Sequence, residues 1–329
     1  MKGLRTLTAI TACFGLTLAV QSTAQDPPEP VQPPPHTQGW PLLGTGNTQA
    51  ERVRSISMGP EMERGIPPRE ILREQRRLDA ALSKLAPQRP GTIDAYVVTI
   101  ALDSDPVFAR EAREAGKVLG ARYNAVSRTI VLAGPDGRTA GLPKGSIRSL
   151  MFALAHIAET MDGEEDVLVL YTTSHGLQQG LAYHYGDTGY GFLSPHRLRD
   201  TLRDLGIERR ILILSACYSG VFVPFLASPD SAVLTAARND RTSFGCRAEN
   251  DWTYFGDALI NNALRKPQGL KAAAEEARNT IGGWERKGKL TPSQPQISIG
   301  SATGAWLPLL EADMPRKASK PVGRPAVDN

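Results

Sequence analysis

Cysteine is scarce in this sequence: three residues in 329, at Cys13, Cys217 and Cys246. That excludes a disulfide-framed small scaffold and a zinc site of the paired-cysteine kind, since both need clustered cysteines at short spacing. Histidine is nearly as rare. His36, His156, His175, His184 and His196 are the full set, and none follows Cys217. No HExxH pattern is present, so His184, Asp187 and His196 lack the spacing of a metal centre, and no metal is expected. Charge of neither sign dominates. The net charge is +4, and part of it sits at the two ends of the chain, in Lys2, Arg5, Arg316, Lys317, Lys320 and Arg324. No basic stripe interleaved with aromatics appears, so nucleic acid is not an expected partner. Past the first two dozen residues no apolar run is long enough to span a bilayer.

The ends of the chain are distinct from its middle. Residues 1–24 read as a secretory signal: Lys2 and Arg5, an apolar stretch from Leu7 to Val20, then small residues Ser22-Thr23-Ala24 before Gln25. The expected location is therefore periplasmic or secreted. Ile10-Thr11-Ala12-Cys13 resembles a lipidation box, but the apolar run continues past Cys13 where such a box would end it. Residues 25–91 read as a Pro-rich arm followed by a helix over 68–86. The stretches Asp26-Pro27-Pro28-Glu29-Pro30 and Gln32-Pro33-Pro34-Pro35 offer too little apolar surface to fold alone. Lying ahead of the domain, the arm has the position of an inhibitory segment. Residues 311–329 read as a disordered tail.

Between these ends, residues 92–310 alternate strand and helix patterns. Strands are expected at 94–101, 127–133, 166–173, 210–216, 231–236 and 296–300. Helices are expected at 106–120, 143–161, 193–205, 253–264 and 270–284. The strands are near-continuous Val/Ile/Leu runs, which implies burial on both faces of a mostly parallel sheet of about six strands, a three-layer α/β/α arrangement.

Two strand ends carry the candidate chemistry. Val169-Leu170-Tyr171-Thr172-Thr173-Ser174 delivers His175, and Ile211-Leu212-Ile213-Leu214-Ser215-Ala216 delivers Cys217, 42 residues later. Ligands of open α/β sheets bind beyond the carboxyl ends of the strands, so an imidazole and a thiol placed there can meet. A base beside a thiol makes a thiolate nucleophile, and the pair points to acyl transfer. Chain order removes rivals. A papain-like enzyme and an α/β-hydrolase place the histidine after the nucleophile, whereas His before Cys at this separation is the caspase-type order. Gly176 lets its N–H approach a substrate carbonyl and, with the Cys217 N–H, supplies an oxyanion hole. A helix following Cys217 is expected to stabilise the thiolate. Asp103 or Asp105, after the first strand, can reach and orient His175. Arg238 and Arg241, just past the fifth strand, are candidates to hold an acidic side chain. The competing readings are a buried structural thiol at 217, a surface-loop histidine at 175 and a Cys217–Cys246 disulfide. Cys246 itself reads as a buried thiol.

Thr173-Ser174-His175-Gly176 together with Ser215-Ala216-Cys217-Tyr218-Ser219-Gly220 resembles the legumain-like cysteine peptidases, in particular their bacterial branch, within the caspase-type fold. The resemblance extends through Leu234-Thr235-Ala236-Ala237-Arg238-Asn239-Asp240-Arg241-Thr242-Ser243-Phe244-Gly245-Cys246 and Asn250-Asp251-Trp252-Thr253-Tyr254-Phe255-Gly256. It implies His175 as general base and acid, Cys217 as nucleophile, and Gly176 and Cys217 as oxyanion donors. It also implies a peptide or protein substrate cut after Asn or Asp, and no cofactor. Asp251 matches a pocket acid of the family and Ser243 its pocket serine. Ser215 stands where the family has a glutamate, and the loop 102–108 lacks its Arg-His pair. The same dyad serves a transamidase, in which an amine replaces water, and a silent binding module is the reading from outside enzymology.

Overall fold

Residues 48–134 and 141–327 are described by the structure, a computed structural model. The segment read as a signal, the Pro-rich stretch and Cys13 lie outside the described residues.

Thr48 and Glu51 cap each other reciprocally to open α1 (Gln49–Ser57), a capping box within the expected arm. β1 (Glu61–Glu63) and α2 (Pro68–Leu82) follow. The main alternation is β2 (Ala95–Ala101), α3 (Pro106–Arg122), β3 (Thr129–Leu132), α4 (Ile147–Thr160) and β4 (Val167–Thr173). Three short strands come next: β5 (Gly176–Leu177), β6 (Gly180–Tyr185) and β7 (Gly189–Leu193). The chain continues through α5 (Pro195–Asp204), β8 (Arg210–Ser215), α6 (Val223–Leu226), β9 (Ser231–Thr235), α7 (Leu270–Lys287), β10 (Gln296–Ile299) and α8 (Leu307–Leu310).

The large sheet has the order β10-β9-β8-β4-β2-β3, with β10 antiparallel and the other five strands parallel. This is the expected mostly parallel sheet of six strands. Residue alternation sends each strand to two cores. Ala95 and Val97 of β2, Val169 and Tyr171 of β4, and Ile211 and Ile213 of β8 pack with α3 and α7. Tyr96, Val98, Leu168, Leu170, Leu212 and Leu214 pack with α2, α4 and α5 on the other face. Fully burying each Val, Ile or Leu side chain stabilises the fold by about 1.5–3 kcal/mol, which is why these strands are rich in them.

Taken in chain order, the parallel strands lie 2-1-3-4-5 across the sheet, so the order reverses between β2 and β4. The crevice beyond the carboxyl ends of those two strands is the topological switch point, where such sheets place ligands.

The second sheet, order β1-β7-β6-β5, is entirely antiparallel and was not legible in the sequence. It is fastened to the switch point: Ser104 N–H donates to His184 O at 2.9 Å, and His184 N–H to Leu102 O at 3.0 Å. The arm enters it through β1, on the edge opposite β5. The buried Lys144 Nζ donates to Glu63 Oε1 at 2.7 Å, and the Tyr183 hydroxyl donates to the same oxygen at 2.6 Å.

Three other expectations change. α4 starts at Ile147, with Ser146 as its N-cap, because the Pro143 carbonyl accepts from Gly134 N–H and keeps that segment extended. The segment expected as a helix over 253–264 is helical, but as a π-helix at Gly256–Asn262 followed by a 3-10 turn at Ala263–Arg265. The stretch from Glu311 on, expected to be disordered, is laid on the domain as far as residue 327. Glu311 pairs with buried Arg122 at 2.5 Å, Trp252 Nε1 donates to Val322 O at 2.8 Å, and Ala326 N–H donates to Asp257 Oδ2 at 2.7 Å. Its composition offers no core residues, but its backbone polar groups find partners. Among the described residues no helix is long and apolar enough to cross a membrane.

Candidate active site

β4 and β8 are hydrogen-bonded neighbours, with Thr173 opposite Ser215. Pairing continues one step further, Ser174 N–H donating to Ser215 O at 3.2 Å. The next residues are His175-Gly176 on one strand and Ala216-Cys217 on the other, so both candidate side chains leave the sheet at the same rim. Gly176 lies against the Cys217 backbone. A Cβ there would collide with the Cys217 carbonyl and come within 2.9 Å of its nitrogen, so only glycine fits.

Directly after Cys217 the chain reverses. Tyr218 is left-handed at φ 57°, a conformation that costs a non-glycine residue about 1–3 kcal/mol. It is held by its N–H to Arg241 O at 2.8 Å. The helix expected to support the thiolate is only a four-residue 3-10 turn, Ser219–Phe222, leading into α6. The sulfur has a different partner: Ser243 N–H donates to Cys217 Sγ at 3.2 Å, with the Ser243 hydroxyl at 3.6 Å. Burial pushes the Cys217 thiol up from 9.0, while the two Ser243 groups oppose the rise and the Cys246 charge adds to it. The Cys217 N–H donates to no backbone carbonyl among the described residues.

His175 sits at the switch point. Its Nε2 is 3.4 Å from Asp105 Oδ2, and the edge of Phe108 meets the ring at a centroid distance of 5.0 Å. The Cys246 side chain is the largest cause raising the His175 pKa from 6.5 to about 9. Partial burial opposes that rise, and the charges of Cys246 and Asp103 and the Asp105 hydrogen bond add to it. The folded state thus holds the proton more tightly than the unfolded chain. This stabilisation is full below pH 6.5 and is lost as pH climbs through about 9. Among the described residues no hydrogen bond joins the His175 ring to Cys217 Sγ. Of the two expected orienters, Asp105 contacts the ring. Asp103 is buried, accepts from Asp105 N–H at 2.9 Å and lies 3.7 Å from His184 Nδ1. Burial raises its pKa.

The expected substrate residues separate into two groups. Ser215 is buried beneath the rim and its hydroxyl donates to Glu111. The Asp251 carboxylate is engaged by Arg110 at 3.5 Å and by the Arg324 N–H at 2.8 Å. Arg238 is closed by Asp240, at 2.5 and 2.7 Å. Arg241 is more open, 3.8 Å from Asp240, and its backbone touches the residue after Cys217. Ser243 is at the sulfur itself. Cys217 and Cys246 are both free thiols, so the disulfide alternative is not what the structure adopts.

Sequence reasoning missed Glu111. Fully buried on α3, it accepts from the Tyr171 hydroxyl, from the Thr173 and Ser215 hydroxyls at 2.9 Å each, and from Thr253 N–H at 2.8 Å. Thr173 and Ser215 each stand two residues before a candidate catalytic side chain. The available signal was spacing: an acid at 111 falls on the inward stripe of Phe108, Ala112 and Ala115. Glu111→Ala removes the acceptor that four donors share. We expect a loss of about 3–5 kcal/mol in denaturant unfolding, the usual cost of breaking a buried charged network. A loss below about 1 kcal/mol would mean the carboxylate is dispensable.

Residues 153–304 match the Peptidase C13 family. A search of curated proteins finds no match. Among solved structures, the crystal structure of caspase-1 from Spodoptera frugiperda aligns at 13% identity, covering 65% of this chain and 94% of that chain, with a TM-score of 0.40. The stretch that matches the Peptidase C13 family contains β4, β8 and both rim side chains.

Proposed function

We propose that this protein is a cysteine peptidase that works through His175 and Cys217. Cys217 Sγ attacks the peptide carbonyl, and the oxyanion is received by the N–H groups of Gly176 and Cys217. His175 passes a proton to the leaving amine, and water then hydrolyses the thioester. The observation that carries this reading is the delivery of both side chains to one rim by paired strands, with Gly176 pressed onto the Cys217 backbone. Asp105 orients the imidazole. An acyloxymethylketone or aza-peptide probe is expected to label the protein and to leave Cys217→Ala unlabelled. Equal absence of labelling in both would instead favour a silent binding module.

The resting protonation state sets the pH dependence. With His175 at about 9 and the Cys217 thiol above 9.0, the free site at neutral pH holds an imidazolium and a neutral thiol. Generating the nucleophile requires loss of a proton, so kcat/KM should climb as pH rises from 6 toward 9, by about tenfold per unit at most. A profile that declines over that interval contradicts this assignment.

For selectivity, the residue before the scissile bond is Asp or Asn, held by Arg241 beside Ser243. Arg238, already engaged with Asp240, and Asp251, already paired with arginines, are supporting groups. Replacing Arg241 with alanine should reduce kcat/KM for an Asp substrate by about 10–100-fold relative to an Ala substrate, the range expected for a lost charge-assisted contact. An unchanged ratio removes Arg241 from the pocket. We also propose export, on the strength of residues 1–24; a mature N-terminus at Gln25, found by N-terminal sequencing, is the check.

A further inference from the structure

The small sheet presents a face that the mechanism above does not use. β6 is fastened to the histidine itself: Ala182 N–H donates to His175 O at 2.9 Å. Two residues on, His184 stands opposite Tyr190 of β7, and Tyr190 stands opposite Met62 of β1. Residues directly opposite one another share a face, so these three form one row across the sheet. The rings of His184 and Tyr190 lie 5.8 Å apart, and the Arg64 guanidinium lies 5.5 Å from the centre of the Tyr190 ring. The other face of the same strands carries Leu181, Tyr183 and Leu193 and is closed in the core. The row is open: Met62 is 54% exposed and the His184 side chain 52%. In the large sheet β4, which delivers His175, separates β8, which delivers Cys217, from β2. The segment after β2 is tied to both histidines. Asp105 Oδ2 is 3.4 Å from His175 Nε2, and Asp103, which accepts from the Asp105 N–H at 2.9 Å, lies 3.7 Å from His184 Nδ1. The row therefore joins the site on the β2 side of His175, whereas Cys217 lies on the β8 side.

We propose that the row His184–Tyr190–Met62 binds the substrate chain beyond the scissile bond and selects an apolar side chain at the second or third residue after the cut. That direction rests on the roles given above to His175 and Cys217. A carbonyl held at Cys217 and an amine protonated by His175 send the departing half of the substrate toward β2. Adjacent strands are about 4.8 Å apart and an extended chain advances about 3.3 Å per residue, so crossing from β8 to β2 takes about three residues. There the chain meets two rings and a thioether, with Arg64 against the Tyr190 ring. Such a surface gains by covering an aliphatic or aromatic side chain, and a carboxylate placed on it would lose water without the same return. Tyr190, at the middle of the row, is the specificity-determining residue.

The test compares two substrates that share every residue up to the scissile bond. One ends there in an aminocoumarin leaving group; the other is a quenched fluorescent peptide that continues with phenylalanine at the second and third positions. The ratio of their kcat/KM values, extended over truncated, should fall about tenfold in Tyr190→Ala and in His184→Ala, the effect of leaving about 55 Å² of apolar surface uncovered. The fall should lie in KM rather than kcat. Tyr190→Phe should restore the ratio, and an extended peptide with Asp in place of both phenylalanines should be insensitive to Tyr190→Ala. A ratio unmoved in both alanine variants, with turnover intact, overturns the row and leaves the peptidase reading standing. Photocrosslinking supplies a readout that needs no turnover. The Cys217→Ala chain is irradiated with the extended peptide carrying benzoylphenylalanine at the third position, and the adduct is mapped. Adducts within residues 182–192 or 61–64 are expected, and adducts confined to other segments overturn the proposal. Adducts at the row, in a protein whose wild type cleaves neither substrate, would support the row as a peptide-binding surface and count against His175 and Cys217 as a catalytic pair.

Discussion

A single buried carboxylate holds the candidate rim together. Glu111 reaches from α3 to β4, β8 and the segment at Thr253, and accepts from a donor at each. Burying a carboxylate is tolerable only when hydrogen bonds replace its water, and here three hydroxyls and a backbone N–H do so. Gly256 completes the seal, since a side chain there would overlap the carboxylate. Thr173 and Ser215 are thereby fixed to one acceptor, and the residues two steps beyond them, His175 and Cys217, inherit a common frame.

Above that frame the two candidate groups have separate surroundings. His175 is braced by Asp105 and Phe108, groups that favour or accommodate the charged ring. Cys217 is partly buried and held by Ser243. The strain of left-handed Tyr218 keeps the sulfur at the turn rather than in the core.

Much of the architecture was legible in the sequence. Buried parallel strands require unbroken apolar runs, so β2, β4, β8 and β9 stood out, and the amphipathic helices between them followed. The small antiparallel sheet did not stand out. β5 is two residues long, and β6 and β7 mix glycine, tyrosine and histidine, with no clean alternation because both edges are partly covered. The C-terminal segment was misread for a related reason: its order comes from backbone groups reaching Asn261, Asp257 and Trp252, which composition does not register. Ser215 and Asp251, read as pocket residues by likeness to a family, are occupied by Glu111 and by arginines in this chain.

The sequence by itself determined the sheet, its two faces and the order of histidine before cysteine, because these follow from periodicity and from position along the chain. Tertiary structure alone decided which polar groups meet. That Glu111 would lie under Ser215 and that Asp105 rather than Asp103 would touch the ring depend on packing between elements up to about a hundred residues apart in the chain, and no local pattern encodes the partner of a hydrogen bond formed across that distance.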